Sequence, residues 1–194
     1  MNTQEFEAAF KEYMAGQRDA MRSRYNRVLP SGELIFNRFD KASYLACGEG
    51  SSIYDTSVVM GDVEIGSHVW IGPYTLLEGF NGKLKIGDFV SIDAGVMIYT
   101  HDSTKHYVSG GKAPFKTGNV TINSYSVIGT MSMIACGVEI GQHCVVAAHS
   151  FVNRDVPDYS IVAGNPACII GKVIIDSEGN VEFDYEPDRC EVRA

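Results

Sequence analysis

Histidine is the residue type of this sequence best suited to exchange protons near neutral pH. The chain contains five of them: His68, His101, His106, His143 and His149. His68, His143 and His149 occupy equivalent positions of a six-residue repeat, where we expect ordinary surface residues. His101 differs because it stands where the repeat breaks into a long segment. A general base needs a rigid support beside a cavity, and the edge of a rigid unit beneath a loop offers both. We therefore predict a catalytic role for His101, with Asp102 or a backbone carbonyl orienting its imidazole.

The repeat that would position His101 is six residues long. An aliphatic residue begins each of fourteen hexads: Ile53, Val59, Ile65, Ile71, Leu77, Ile86, Ile92, Ile98, Ile122, Ile128, Ile134, Ile140, Val146 and Val152. The next residue is usually Gly, Asn, Asp or Ala, types that tolerate the positive φ of a tight corner or fit its crowding. Four residues after each aliphatic stands a small or β-branched residue, such as Ser126 or Val138. In a strand of period two this position faces the same side as the next aliphatic.

A period of six matches neither the 3.6-residue period of a helix nor simple strand alternation. We interpret it as a parallel β-helix, in which each hexad is a short strand and a corner and about three hexads close a triangular coil. Fourteen hexads predict between four and five coils. The step from Leu77 to Ile86 is nine residues and predicts a bulge over Glu78–Lys83. The step from Ile98 to Ile122 is twenty-four residues and predicts an excursion over residues 101–119, of the length that is commonly functional.

The chain divides into three parts on this pattern. Residues 1–52 hold a helix over residues 3–28, expected to cap the first coil, and an irregular connection with a short strand at Glu33–Phe36. Residues 53–172 hold the repeat. Residues 173–194 hold a C-terminal β-hairpin, turned at Ser177–Asn180, and a tail.

Composition narrows the class of protein. The 194 residues include 16 Lys and Arg against 24 Asp and Glu, and this net charge of -8 argues against nucleic acid or an anionic membrane as the main partner. The five cysteines form no CxxC pair, so we expect buried free thiols at Cys47, Cys136, Cys144, Cys168 and Cys190. The N-terminal sequence has no long apolar run, so we expect neither a signal peptide nor a membrane-inserted helix, and a cytoplasmic protein.

Three segments resemble a known family: YTHDS at the start of the excursion, the run IGTMSMIACGVEIGQHCVVAAHSFVNRDVP, and the close DVPDYSIVAGNPACIIGK. Together with the hexads, they are similar to the hexapeptide-repeat acyltransferases over residues 53–172. The likeness is greatest to the maltose and galactoside O-acetyltransferases and the polysaccharide O-acetyltransferases. It implies an all-β fold, the left-handed parallel β-helix, in a homotrimer whose active sites are shared between subunits, with acetyl-CoA in the groove.

The resemblance also implies an activity. Acetyl-CoA would donate an acetyl group directly to a hydroxyl of a sugar or a polysaccharide precursor, with His101 as the general base. An N-acetyltransferase acting on an amino sugar and a xenobiotic acetyltransferase are the alternatives within the family. The implied cofactor-binding residues are Gly129, Thr130, Ala147, Ala148, Asn153, Arg154 and Lys172. The acceptor-binding candidates are Glu78, Phe80, Asn81 and Tyr107.

Two positions depart from the family pattern. Val127 stands where many relatives have a tryptophan, which leaves the wall of the acceptor pocket undefined. Cys168 stands where a basic residue is expected, which places more of the phosphate binding on Lys172.

Two other classes of function compete with acyl transfer. A zinc hydratase like the γ-type carbonic anhydrases would need three histidines in one tetrahedral site, for which His68, His101 and His106 are the available set. The family resemblance favours a site without metal. A catalytically silent trimeric scaffold is the other alternative.

Overall fold

A computed structural model describes residues 2–185 of the chain. Residues 52–164 form a left-handed parallel β-helix, the fold class that the sequence predicts, with an N-terminal helical segment before it and a C-terminal antiparallel extension after it. The β-helix is a prism with three faces, joined at three corners. We number the corners in chain order: the first corner follows the first face, the second follows the second face, and the third returns to the first face.

The first face contains strands one above another in parallel register. They are β1 (Ser52–Ile53), β3 (Trp70–Ile71), β5 (Ser91–Ile92), β10 (Val127–Ile128), β13 (Val145–Val146) and β15 (Ser160–Gly164). Two longer strands, β2 (Val58–Ile65) and β4 (Leu76–Ile86), pass from the second face to the third. The second face continues with β6 (Met97–Ile98), β11 (Met133–Ile134) and β14 (Phe151–Val152). The third face continues with β9 (Val120–Ile122) and β12 (Glu139–Ile140).

The hexad aliphatics form the core of this prism. All are buried except Val59, which is half-buried, and Ile53, Ile71, Ile92, Ile128 and Val146 lie directly above one another on the first face. The position four residues later is also buried, as predicted: Ser126 and Val96 are 0% exposed. Five coils are complete and β15 begins a sixth. The fifth closes because Val156 bridges Ile140 on the third face, a position that the hexad count omits.

The corners differ from the prediction in one respect. The residue after each aliphatic is crowded rather than left-handed: a Cβ on Gly129 would lie 2.7 Å from the amide nitrogen of Ala148 in the next coil. The positive φ occurs three residues after the aliphatic. On the third corner it is held by His68, Phe89, Tyr125, His143 and Tyr159, with φ from 53° to 66°.

The rings of these five residues stack on one another along the third corner, and we call them the third-corner stack. Their centroids are 4.4 Å, 5.8 Å, 4.8 Å and 4.8 Å apart in succession. His68 is exposed, as expected for a surface residue, whereas His143 is half-buried between the two tyrosine rings. The side-chain stacking therefore accompanies a backbone conformation that non-glycine residues rarely adopt.

The N-terminal segment contains three helices, α1 (Thr3–Tyr25), α2 (Ser31–Ile35) and α3 (Arg38–Tyr44). The strand expected at Glu33–Phe36 is therefore wrong, since α2 occupies that stretch. Helix α3 covers the first coil, because Ala42 is 3% exposed and belongs to the core. Helix α1, expected to be the cap, packs on α2 instead, and Met14 is its only buried residue among those described.

The C-terminal extension confirms the predicted hairpin. Strand β16 (Ala167–Ile175) pairs antiparallel with β15 and with β17 (Val181–Tyr185). The Asp176 carboxylate closes the turn by accepting hydrogen bonds from the amides of Glu178 and Asn180, at 2.8 Å and 2.9 Å. The predicted tail, residues 186–194, lies outside the described residues.

The excursion over residues 101–119 is a folded unit. It contains β7 (His101–Asp102), helix α4 (Thr104–Val108) and β8 (Lys116–Thr117), and β7 pairs antiparallel with β8. The stretch 78–83, expected to bulge as a loop, is instead a continuation of β4, with a shift of register opposite Gly61 to Val63 in β2.

The cysteines follow the expectation only in part. Cys47, Cys136 and Cys144 are free thiols, of which the last two are buried. Cys168 is disulfide-bonded, which corrects the expectation for that residue. Cys190 lies outside the described residues.

Over residues 2–185, the structure has no helix that combines the length and the apolar character needed to span a bilayer.

Candidate functional site

The candidate site lies on the second corner of the prism, where the continuation of β4 past Leu77 meets the start of the excursion. Strands β4 and β6 are neighbours on the second face, with Leu76 opposite Met97 and Leu77 opposite Ile98. The residues that follow these pairs therefore lie side by side as well. This register brings Glu78, which follows Leu77, next to Thr100 and to His101 at the start of the excursion.

Glu78 is buried, with 1% of its surface exposed, and its carboxylate is fully engaged. It accepts hydrogen bonds from the amides of Phe80 and Thr100 at 2.6 Å and 2.8 Å, and from the Thr100 hydroxyl at 3.1 Å. Its Oε2 atom is also 3.0 Å from Nδ1 of His101. Burial raises the pKa of the Glu78 carboxyl, but these hydrogen bonds outweigh burial and hold the pKa below its usual value. Glu78 is therefore ionised at neutral pH.

The ionised carboxylate decides the tautomer of His101. A carboxylate can only accept, so Nδ1 of His101 carries the proton and Nε2 of the neutral ring keeps its lone pair. Among residues 2–185, Nε2 has no hydrogen-bond partner, and the side chain is 25% exposed. The ring of Phe115 lies parallel to the imidazole at 5.8 Å, and the ring of Tyr99 lies edge-on at 6.3 Å. His101 is thus held on one side and open at its basic nitrogen.

The group that orients His101 is neither of the two expected from the sequence. Asp102 accepts from the amide of Thr104 at 2.8 Å, and hydrogen bonds from the side chain and the amide of Thr104 lower the pKa of the Asp102 carboxyl. Its role is to begin helix α4. The orienting group is Glu78, 23 positions before His101 in the chain. The irregular step after Leu77 marks this stretch in the sequence, where the Glu78 carboxylate is predicted to bind the acceptor. The structure directs that carboxylate into the protein instead.

The other predicted acceptor residues stand around His101 in different ways. Phe80 is 66% exposed on β4, two residues after Glu78, and the amide of Asn81 donates to the Thr100 hydroxyl at 3.4 Å. Tyr107 is 73% exposed on α4, with its ring edge-on to His106 at 5.4 Å. The ring centroid of Phe115 is 5.8 Å from that of His101 and 4.8 Å from that of His106. The sequence analysis did not predict a role for Phe115.

The residues assigned to the cofactor lie on different parts of the prism. Gly129 and Thr130 share the first corner with Ala147 and Ala148, because the two pairs are 18 residues, one coil, apart. Asn153 and Arg154 follow β14 and lie on the second corner, the corner of His101. Lys172 is on β16, opposite Ser160 of β15 and Asp184 of β17. One chain therefore does not gather the predicted set around a single ligand.

Arg154 lines a cavity of about 310 Å³ at the C-terminal end of the prism. Asp155, Val162 and Cys168 line the same cavity. Arg154 and Asn153 are exposed on the corner that carries His101, while Cys168 occupies the place where a basic residue was expected. Arg154 is thus the candidate cation on the same corner as the imidazole.

The zinc alternative needs a cluster of ligands. Within residues 2–185, no three His, Cys, Asp or Glu side chains lie close enough together to hold a metal ion. The Nδ1 atom of His106 is 2.8 Å from the carbonyl oxygen of Ala113, and Nδ1 of His101 is bonded to Glu78. His68 is part of the third-corner stack, away from both. The three histidines of that hypothesis are therefore not brought together in one chain.

No family model matches the chain. Among characterised proteins, it is 32% identical over 122 residues to the chloramphenicol acetyltransferase of Klebsiella aerogenes, covering 54% of this chain and 58% of that one. It is 42% identical over 60 residues to the dTDP-3-amino-3,6-dideoxy-alpha-D-galactopyranose 3-N-acetyltransferase of Aneurinibacillus thermoaerophilus, covering 31% of each chain. The chain thus spans less than two thirds of the length of these relatives.

Solved structures show the same fold over more of the chain. An N-acyltransferase of Bacillus cereus, AntD, bound to dTDP and 3-hydroxybutyryl-CoA, superposes with a TM-score of 0.59 and 29% identity, over 64% of this chain and 70% of that one. A hexapeptide-repeat-containing acetyltransferase of Vibrio cholerae O1 biovar eltor, complexed with acetyl coenzyme A, gives a TM-score of 0.57 and 26% identity, over 85% and 89%.

These relatives do not confirm the narrower likeness to maltose and galactoside O-acetyltransferases, and two of them are N-acylating enzymes by name. By name, all four are acetyltransferases or acyltransferases, and the two solved structures have the same fold as this chain. The chain is therefore similar to the hexapeptide-repeat acyltransferases and has their left-handed β-helix fold.

Proposed function

We propose that this protein is an acetyl-CoA-dependent acyltransferase in which His101 is the general base. One observation carries the proposal: the buried Glu78 carboxylate fixes the Nδ1–H tautomer of His101, so that the half-buried ring presents a basic Nε2 at the mouth of the excursion. The β-helix holds Glu78 and His101 in fixed positions, as a general base requires.

The chemical step follows from this geometry. The Nε2 atom takes the proton from the acceptor hydroxyl or amine as its oxygen or nitrogen attacks the thioester carbonyl carbon. The C–S bond breaks as the tetrahedral intermediate collapses, and the proton on Nε2 passes to the leaving thiolate. The Glu78 carboxylate stabilises the imidazolium that exists between these two transfers, since it accepts from Nδ1 throughout. No covalent enzyme intermediate forms.

The donor is acetyl-CoA, as supported by the CoA ligands of both structural relatives. The first corner suits a pantetheine chain, because Gly129, Ala147 and Ala148 have at most a methyl group as a side chain there. Arg154 and Lys172 are the exposed cations assigned to the phosphates. Since they lie on separate parts of one prism, we propose that the donor site is completed by a neighbouring chain.

An apolar stripe on the second face supports a homotrimer. The outward residues of successive coils there are all apolar and in register: Val58, Leu76, Met97, Met133 and Phe151. On the third face the outward positions include Glu64, Lys85 and Glu139, all exposed. This contrast supports a trimer in which another chain covers the second face and the third face is exposed to water. Sedimentation at micromolar concentration is expected to give three chains, and a stable monomer would contradict the shared site.

The acceptor is a sugar hydroxyl or a sugar amine. The amine is favoured by the sugar 3-N-acetyltransferase and the B. cereus N-acyltransferase among the relatives, and the hydroxyl was the expectation from the sequence. A base at Nε2 serves both, but a protonated amine must lose a proton before it attacks. Side-by-side assays with a nucleotide-linked amino sugar and its hydroxyl counterpart, following release of the CoA thiol, would decide between them.

The same assay tests the proposal as a whole. Wild-type protein should release CoA thiol only when an acceptor is present, and the His101→Ala variant should fold but lose that acceptor-dependent release. Thiol release that is equal in wild type and variant, across the sugar panel and with chloramphenicol as a xenobiotic acceptor, would remove His101 from the mechanism.

A further inference from the structure

A second cavity lies at the N-terminal end of the molecule, far along the chain from His101. It has a volume of about 590 Å³ and lies between helix α1 on one side and α2, α3 and the first corner of the first coil on the other. Its apolar lining includes Tyr13, Met21, Tyr25, Leu34 and Phe39. This volume is within the range of small-molecule sites in proteins.

The cavity contains an arginine that has no anionic partner among residues 2–185. Arg38 is half-buried, and its guanidinium carbon lies 5.0 Å from the ring centroid of Phe39 and 5.6 Å from that of Tyr54. These rings fix the plane of the guanidinium group. Its one hydrogen bond goes from Nη1 to the Tyr54 hydroxyl at 3.4 Å, and within residues 2–185 it forms no ion pair. Most of its five N–H donors remain available.

The charge of the cavity is positive, although the chain as a whole is acidic. Arg27 is a second, exposed guanidinium in the lining. Glu33 is the one carboxylate among the described lining residues, and it is already used: Oε1 accepts from the amide and the hydroxyl of Thr56, at 3.1 Å and 3.3 Å. Two guanidinium groups in a cavity lined by aromatic rings match a ligand with a phosphate and a planar ring.

We infer that this cavity binds a nucleoside phosphate, with its base against the aromatic lining and its phosphate on Arg38 and Arg27. The site is separate from His101, so the inference goes beyond the proposed function. Two sources share this chemistry: the adenosine 3′,5′-bisphosphate portion of CoA, and the nucleoside diphosphate of an activated sugar.

The single tryptophan of the chain provides the signal for a test. The ring of Tyr54, in the cavity lining, is edge-on to that of Trp70 at 6.1 Å. A ligand against Tyr54 should therefore change Trp70 emission. The wild-type protein is titrated with adenosine 3′,5′-bisphosphate and with dTDP to distinguish the two sources, and with thymidine and pyrophosphate, which each carry half of the required chemistry. We expect saturation with one nucleotide and about tenfold weaker binding of both half-ligands.

Variants localise the response. Arg38→Lys keeps the positive charge but loses the bidentate hydrogen-bonding geometry of the guanidinium group. Arg27→Glu reverses an exposed charge. Each substitution should weaken nucleotide binding about tenfold. Arg18→Glu is the matched control, since Arg18 is exposed on α1, which lines the cavity, but is not itself a lining residue, and this variant should bind as wild type does. His101→Ala should also bind nucleotide normally, which separates this inference from the proposed function. An absent or non-saturable response, unchanged affinity in Arg38→Lys and Arg27→Glu, or loss in Arg18→Glu would overturn it.

Discussion

The second and third corners of this prism are built from the same hexad but are used differently. On the third corner, each coil turns tightly through a residue of positive φ, and five rings stack along the edge. On the second corner, the repeat is broken in neighbouring coils, and the inserted residues fold into a buried carboxylate beside a partly open histidine. Both corners contain histidines. A histidine within the unbroken repeat is structural, whereas one at its interruption can acquire a partner, a fixed tautomer and access to a ligand.

The largest effect should separate His101 from His143, the histidines of the two corners. We expect His101→Ala to fold and to reduce kcat by roughly 10² to 10⁴ fold, the usual scale for loss of a general base. His143→Ala should keep wild-type kcat. Steady-state kinetics with acetyl-CoA and the best acceptor measures both. Equal losses in the two variants would erase the difference between the corners.

The next effect concerns Glu78 as a positioning residue. Glu78→Gln keeps the shape of the side chain but lets its amide group donate, so the Nδ1–H tautomer of His101 loses its fixed acceptor. We expect kcat to fall on the order of 10²-fold, as when the partner of a functional histidine is removed, with little change in the Michaelis constant for acetyl-CoA. The dependence of kcat on pH should also change. A purely structural role would leave the pH profile as it is and lower only stability.

A smaller effect is expected on the third corner. Tyr125→Ala removes the central ring of the stack and leaves a non-glycine residue at φ 66° without its two ring contacts. We expect the free energy of unfolding to fall by about 1–2 kcal/mol, from lost stacking and side-chain burial, with kcat unchanged. Tyr125→Phe, which keeps the ring, is the control for denaturant unfolding. A change in kcat at this position would show that the stack contributes to the site.

The smallest effect is the response of stability to acid. The pKa of Glu78 is lowered in the folded state, so its contribution is present above the unfolded value of about 4.3 and is lost as pH falls through the folded value. Wild type should therefore lose more stability than Glu78→Gln between about pH 5 and pH 3. Denaturant melts at several pH values measure this difference. Parallel curves for the two proteins would mean that Glu78 is not held ionised by its neighbours.

The repeat could be predicted from the sequence because every hexad has a large aliphatic residue, and the fold must bury that residue in the core. Ile128 and Ile134, for example, are six residues apart because each is the buried aliphatic residue of its own hexad. The helices over residues 31–44 could not be predicted this way, since they are short and are held by tertiary contacts: the Lys41 ammonium donates to the carbonyls of Tyr54, Asp55 and Ser57, at 3.1 Å, 2.8 Å and 2.6 Å.

The site could be predicted only at its center. The break in the repeat singles out His101 in the sequence, whereas Glu78 is predicted there to contact the acceptor and its carboxylate is directed at His101 in the structure. Its partnership with His101 depends on the pairing of β4 with β6, which a linear spacing of 23 residues does not reveal. Phe115 was missed for the same reason, since the fold of the excursion returns it to His101.

The ionised Glu78 and the tautomer that it imposes on His101 are the basis of this account, and NMR of protein with ¹⁵N-labelled histidine measures that tautomer directly. At a pH where the imidazole is neutral, the account predicts the ¹⁵N shifts of an Nδ1-protonated ring for His101 in wild type, and a loss of that preference in Glu78→Gln. An Nε2-protonated ring in the wild-type protein would place the lone pair against Glu78 and contradict the assignment of His101 as the base.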